Sequence, residues 1–179
     1  MIDASIAHSA GSETTIDQTS INCREFLKAV LRICHKMVMT TKLEREWERH
    51  QSSFSTDWRN TMESKGKVFW PKVACIPSVA AEIELAAQSL LESSPAKVRE
   101  AVKDSLLVEA ALATDKTIVS LDEKARGLFS DLVAEFLPLK EIVWVNPDRS
   151  DSEQPMKWLE KGAPPERRRR LKPGSKGRR

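Results

Sequence analysis

Residues 103–126 read KDSLLVEAALATDKTIVSLDEKAR, and the fold turns on this stretch. It belongs to a helix that starts at Ser94-Pro95, with proline in the first helical position, and runs to about Ala113. From Ser105 onward that helix is apolar nearly all round, Glu109 excepted, which is the pattern of a buried helix. A short connector leads into the β-prone run Thr117-Ile-Val-Ser120. A second helix is predicted from about Glu123 to Phe136, and a last strand over Glu141-Ile-Val-Trp-Val145. Strands alternating with helices predict an α/β fold with a parallel sheet flanked by helices.

The segments on the N-terminal side fit the same plan. Val79 to Leu91 and Asp57 to Glu63 read as helices, and Val68-Phe-Trp70 as an edge extension ended by Pro71. Lys36-Met-Val-Met-Thr40 is a short strand, and Thr41-Lys-Leu-Glu44 has the form of a capping box opening the next helix. Ile21, Phe26, Leu27, Val30, Leu31 and Cys34 recur at helical spacing behind Thr19 or Ser20 as N-cap. His8 to Thr19 is rich in Ser, Thr and Gly and reads as a loop. Met1 to Ser5 reads as the end of strand one, with two residues ahead of Asp3; either that strand is very short or the start is truncated.

After Asn146-Pro147 the composition shifts to Asp, Ser, Glu, Pro, Gly and Arg. One island, Met156-Lys-Trp-Leu159, has the makings of a docked helical turn. Residues 148–179 hold 11 Lys/Arg against 5 Asp/Glu, so of a net charge of +3 the body carries −3. The organisation expected is one domain over 1–147 and a basic, flexible tail over 148–179.

The bulk composition narrows the functional classes. At 40% hydrophobic and 31% charged residues the chain reads as a soluble globular protein, neither disordered nor membrane-spanning. No basic region followed by an apolar one opens the chain, so a secretory signal is not expected. Cys23, Cys34 and Cys75 show no metal-ligand spacing and read as reduced core thiols of a cytoplasmic protein. GxxxxGK[ST], GxGxxG and GxSxG are all missing, which removes kinase, dehydrogenase and serine hydrolase readings.

Four acids remain. Asp3 ends strand one, Glu46 lies one turn beyond the strand ending at Thr40, and Asp122 follows Ser120 by two residues. In parallel α/β sheets ligands gather beyond the carboxyl ends of the strands. Asp104 sits on the buried helix, sharing a face with Ala101, Leu107, Val108 and Ala111. Carboxylates brought together repel, and a hard divalent ion bound through oxygen resolves the repulsion. Each acid also has a local alternative: loop hydrogen bonds for Asp3, a solvated helix position beside Arg45 and Arg49 for Glu46, the last exposed position before the apolar segment for Asp104, an N-cap for Asp122.

Three motifs carry a resemblance over roughly residues 1–145: IDAS, TTKLEREW, and KDSLLVEAALATDKTIVSLDEKAR. Together they resemble the PIN-domain nucleases. The resemblance implies a three-layer α/β/α sandwich with a central parallel sheet, and cleavage of RNA with Mg²⁺ or Mn²⁺ to leave a 5′-phosphate and a 3′-hydroxyl. It implies Asp3, Glu46, Asp104 and Asp122 as the metal-binding and catalytic acids, with Ser5 and Ser120 orienting them. Glu44 competes with Glu46, which is preferred because the capping box gives Glu44 another task. Arg167, Arg168, Arg169, Arg170 and Lys172 are the candidate nucleic-acid contacts. Partners expected on this reading are RNA, an antitoxin protein and a second copy of the chain, with no membrane. The alternative is a PIN-like RNA-binding or assembly module that cleaves poorly.

Overall fold

The computed structural model describes residues 1–33, 35–71, 77–90 and 94–173. Cys34, Cys75, the expected helix end at Leu91 and the last six residues of the tail lie outside them. The chain is α/β, with short strands between helices. The elements in order are α1 (Ala4–Ser9), α2 (Gln18–Arg32), β1 (Met37–Val38), α3 (Thr41–His50), α4 (Ser53–Ser64), β2 (Val68–Phe69), α5 (Pro77–Leu90), α6 (Pro95–Leu112), β3 (Thr117–Val119), α7 (Glu123–Asp131), β4 (Val143–Val145), α8 (Ser150–Glu153) and α9 (Pro155–Glu160). Among the described residues the strands form two two-stranded sheets, β1–β2 and β3–β4, where a single central sheet was expected. The chain falls into two compact units, one of Met1–Lys72, Val119–Leu121 and Val145–Pro165, the other of Val73–Ile118, Asp122–Trp144 and Glu166–Arg179.

In the first unit α2 buries Phe26, Leu27 and Val30 of the stripe its spacing predicts, together with Cys23, while Ile21 and Leu31 are partly exposed. Fully burying a residue such as Phe26 contributes about 3 kcal/mol. The helix starts earlier than expected, because Asp17 is the better cap: its carboxylate accepts the Ser20 N–H at 3.0 Å. α3 is capped by Thr40, which accepts the Leu43 N–H at 3.2 Å. Glu44 is therefore one residue too far along to complete a capping box. It accepts instead from Arg59 of α4 at 2.6 Å. Trp47 and Trp58 stack with centroids 6.0 Å apart, and Trp58 donates to the Leu27 carbonyl at 2.7 Å. β1 and β2 run parallel, Met37 opposite Val68 and Val38 opposite Phe69, as an edge extension would.

Residues 148–165 are built into this unit. Asp148 accepts from Thr19 at 3.0 Å and from Asn22 at 2.9 Å. α9 packs on α2, burying Trp158 and Leu159, and Trp158 donates to the Pro164 carbonyl at 2.9 Å. The expected flexible tail thus begins too early at 148, because the apolar face of Trp158 and Leu159 is worth burying.

The second unit is organised by α6, whose Leu107, Val108, Ala110 and Ala111 are buried as predicted, against α5 and α7. α7 is shorter than expected and passes into 3-10 turns over Leu132–Ala134 and Leu137–Glu141, the latter holding Pro138. Trp144 lies against Phe129 with centroids 6.2 Å apart. Val143 donates to the Lys116 carbonyl at 2.8 Å. On its other side Val143 bridges antiparallel to Arg170, and Leu171 donates to the Ile142 carbonyl at 3.0 Å. Leu171 and Arg169 are buried, so the tail is ordered through this stretch too. No helix among the described residues is long and apolar enough to cross a membrane.

Candidate functional site

α1 is absent from the sequence reading, and it creates the site. Six residues are too few for helical periodicity to register. Its N-cap is Asp3, in the extended conformation where a carboxylate ordinarily accepts a first-turn N–H. Asp3 makes no such bond. Its Oδ2 accepts instead from the Ser5 hydroxyl at 2.5 Å and from the Ser120 hydroxyl at 2.7 Å. Ser5 Oγ in turn accepts the Leu121 N–H at 3.2 Å, and the two serine oxygens lie 3.3 Å apart. Among the described residues no donor reaches Oδ1 of Asp3.

The energetics favour this exchange. A forgone N-cap costs about 1 kcal/mol, whereas each hydrogen bond to a charged group contributes about 1.5–3 kcal/mol. Short O–H···O⁻ bonds of this length are the charge-assisted kind. Backbone pairing sets the register: Asp3 N–H donates to Val119, Val119 N–H to Met1, both at 2.9 Å, and Ser120 N–H to Val145 at 3.0 Å. Strand one is thereby a single parallel bridge, Ile2 to Val119. Trp47 holds it from α3, its indole N–H donating to the Ile2 carbonyl at 3.0 Å.

The other acids stand in more ordinary settings. Glu46 is 32% exposed and ion-pairs with Arg49 at 3.0 Å along α3, with the His50 ring 3.9 Å from its other oxygen. Asp104 is half-buried on α6, on the face that buries Ala101, Leu107, Val108 and Ala111. Asp122 caps α7, accepting the Ala125 N–H at 2.8 Å, which is the local alternative weighed for it. Among the described residues no group of three or more His, Cys, Asp or Glu side chains is placed to hold a metal ion.

No family model, curated protein or solved structure matches the chain.

The basic run divides. Arg167, Arg168, Arg170 and Lys172 are exposed, whereas Arg169 is 2% exposed and donates to Glu166 at 2.9 Å. Arg169 is therefore a buried anchor and a correction to the expected set of surface cations. Two cations went unnoticed in the sequence, Lys116 and Lys140; only the short turn before β3 and the residue before Glu141 marked them. Also unforeseen is Arg24, a buried guanidinium that donates to the carbonyls of Ala10, Ser12 and Thr15 at 2.9, 2.8 and 2.5 Å. It stands at the C-terminal end of α1, where a cation is favoured.

Proposed function

We propose that this chain is a metal-dependent endoribonuclease on a PIN-like three-layer α/β/α sandwich, cytoplasmic, and the toxin of a toxin–antitoxin pair. The observation that carries the reading is the Asp3 carboxylate, bound at one oxygen by two serine hydroxyls instead of capping its own helix. The resemblance named both serines for that task. Oxygen donors suit Mg²⁺ or Mn²⁺, and Mg²⁺ commonly keeps its waters and takes one or two carboxylates plus substrate phosphates. On this reading Asp3 holds the ion, and Glu46, Asp104 and Asp122 enter through the resemblance alone.

When bound, the ion supplies Lewis acidity toward the phosphodiester and lowers the pKa of a coordinated water. The remaining work belongs to the chain. Ser5 and Ser120 saturate Oδ2 and fix the carboxylate, while the Leu121 N–H orients the Ser5 hydroxyl so that its proton goes to Asp3. Orientation of this kind is worth about 10–100-fold in metal affinity or activity.

The test is cleavage of mixed RNA by the full-length protein with Mg²⁺ or Mn²⁺. Asp3→Asn is expected to abolish cleavage and Ser120→Ala to reduce it about tenfold or more, with far-UV circular dichroism unchanged. No metal-dependent cleavage by the wild type, or Asp3→Asn and Asp104→Asn variants as active as wild type, sinks the enzyme. The lack of a three-ligand cluster among the described residues favours a second reading, a PIN-like RNA-binding or assembly module. RNA retention without cleavage would select it.

A further inference from the structure

In the second unit three chain segments meet at the edge of β4. Val143 donates to the Lys116 carbonyl on one side and bridges Arg170 on the other. Lys116 reaches Glu141 by ion pair, and Lys140 precedes it in the chain. Glu141 is held below the ordinary carboxylate range, first by the hydrogen bond and charge of Lys116, then by Lys140 and Arg170. Lys116, Lys140 and Arg170 therefore share one electrostatic neighbourhood.

The tail extends that neighbourhood as a row. From Arg168 to Lys172 exposure alternates: Arg168, Arg170 and Lys172 out, Arg169 and Leu171 in. Arg167–Arg169 form a 3-10 turn and the backbone is extended at Arg170; in extended chain, residues two apart, as Arg170 and Lys172 are, lie about 6.6 Å apart. Arg167, Arg170, Lys140 and Lys172 form no ion pair with a described residue, while Glu166 is taken by Arg168 and Arg169. Lys116 keeps its place against a backbone preference, at φ +60°, where glycine is favoured.

We propose that these six residues, Lys116, Lys140, Arg167, Arg168, Arg170 and Lys172, form a fixed basic face that binds the phosphodiester backbone of single-stranded RNA. The choice of RNA rests on the ribonuclease reading; the polyanion does not. Cations on a segment held by the Val143–Arg170 bridge and the Leu171–Ile142 hydrogen bond contact phosphates without losing the chain entropy that a free tail would. Such contacts position the nucleic acid and read no base or 2′-hydroxyl.

The experiment is fluorescence anisotropy of labelled oligouridylate with the full-length protein in EDTA across a salt series, so that cleavage plays no part. Wild type is expected to bind with a logarithmic salt slope that falls by about 0.7 for each phosphate contact removed. The Arg167→Ala/Arg168→Ala/Arg170→Ala/Lys172→Ala variant should lose at least tenfold in affinity, and the matching Arg→Lys variant should keep it. Lys116→Gly, which removes the cation while easing the backbone, should weaken binding without lowering the melting temperature. Oligothymidylate should bind as oligouridylate does. An unchanged slope in the alanine variant, or preferential binding to phosphatidylserine vesicles, overturns the proposal; RNA cleavage that persists alongside either result leaves the ribonuclease reading standing.

Discussion

Burial pushes the Cys23 thiol from its ordinary 9.0 up to about 12, with the charges of Asp148 and Asp17 acting in the same direction. The side chain is fully buried in α2. A raised pKa means the folded state holds a proton that the unfolded chain releases from about pH 9, so stability from this group is complete below that pH and is lost toward pH 12. Chemical denaturation across this window is expected to show a shallower alkaline loss for Cys23→Ala than for wild type. Iodoacetamide should label Cys23, mapped by mass spectrometry, only on unfolding. The same scale shows which single residues were legible. Asp3 with Ser5 was marked as an acid with a hydroxyl two positions on and Ser120 as the hydroxyl two positions before Asp122, and the side chains of Asp3, Ser5 and Ser120 meet. Asp122 was equally visible, but the N-cap explains its geometry without any ligand. A carboxylate just before a helix reads the same in sequence whether it caps or coordinates.

At the level of elements, the segment from Ala10 to Asp17 behaves as a wrapped strap and not as a plain loop. Arg24 satisfies three of its carbonyls from within, and Gly11 turns it at φ +64°, where an added Cβ would lie 2.7 Å from Thr15 Oγ1. Arg24→Met is expected to cost ~2–4 kcal/mol, since buried carbonyls lose a charged donor. Thermal denaturation would measure that cost, and hydrogen exchange should speed up first at the end of α1. A change below 0.5 kcal/mol, roughly a neutral surface substitution, would show that the clamp carries no stability. The long helices α2 and α6 were readable because their apolar faces repeat over several turns, whereas α4 was read only from Asp57 to Glu63 of its span Ser53–Ser64. α1 was not, because six residues hold too few repeats, and the loop signal of Ser9 and Gly11 masked it. The start of α3 was misread by one residue: threonines at both 40 and 41 cap equally well on paper, and the Arg59 pairing of Glu44 is tertiary.

For the whole molecule the sequence reading captured the α/β class and the alternation of elements, and it misjudged where the folded part ends. Pairing of Arg170 and Leu171 with β4 and docking of Trp158 on α2 are long-range events that composition conceals beneath Arg, Pro and Gly. Neither unit is a continuous segment, so a fragment ending at residue 147 removes part of each. That fragment is expected to lose cooperative thermal unfolding relative to the full chain, and a sharp, unshifted transition would contradict the packing of the C-terminal residues. The bridge at Arg170 has one more effect. With Leu171 bonded to the Ile142 carbonyl, it occupies the β4 edge at Val143, where a neighbouring molecule could otherwise pair, and leaves Arg170 and Lys172 exposed there, whose like charges repel a second copy. The C-terminal segment is, in that sense, a guard against self-association at high concentration, built from the same cations that make the face attractive to a polyanion.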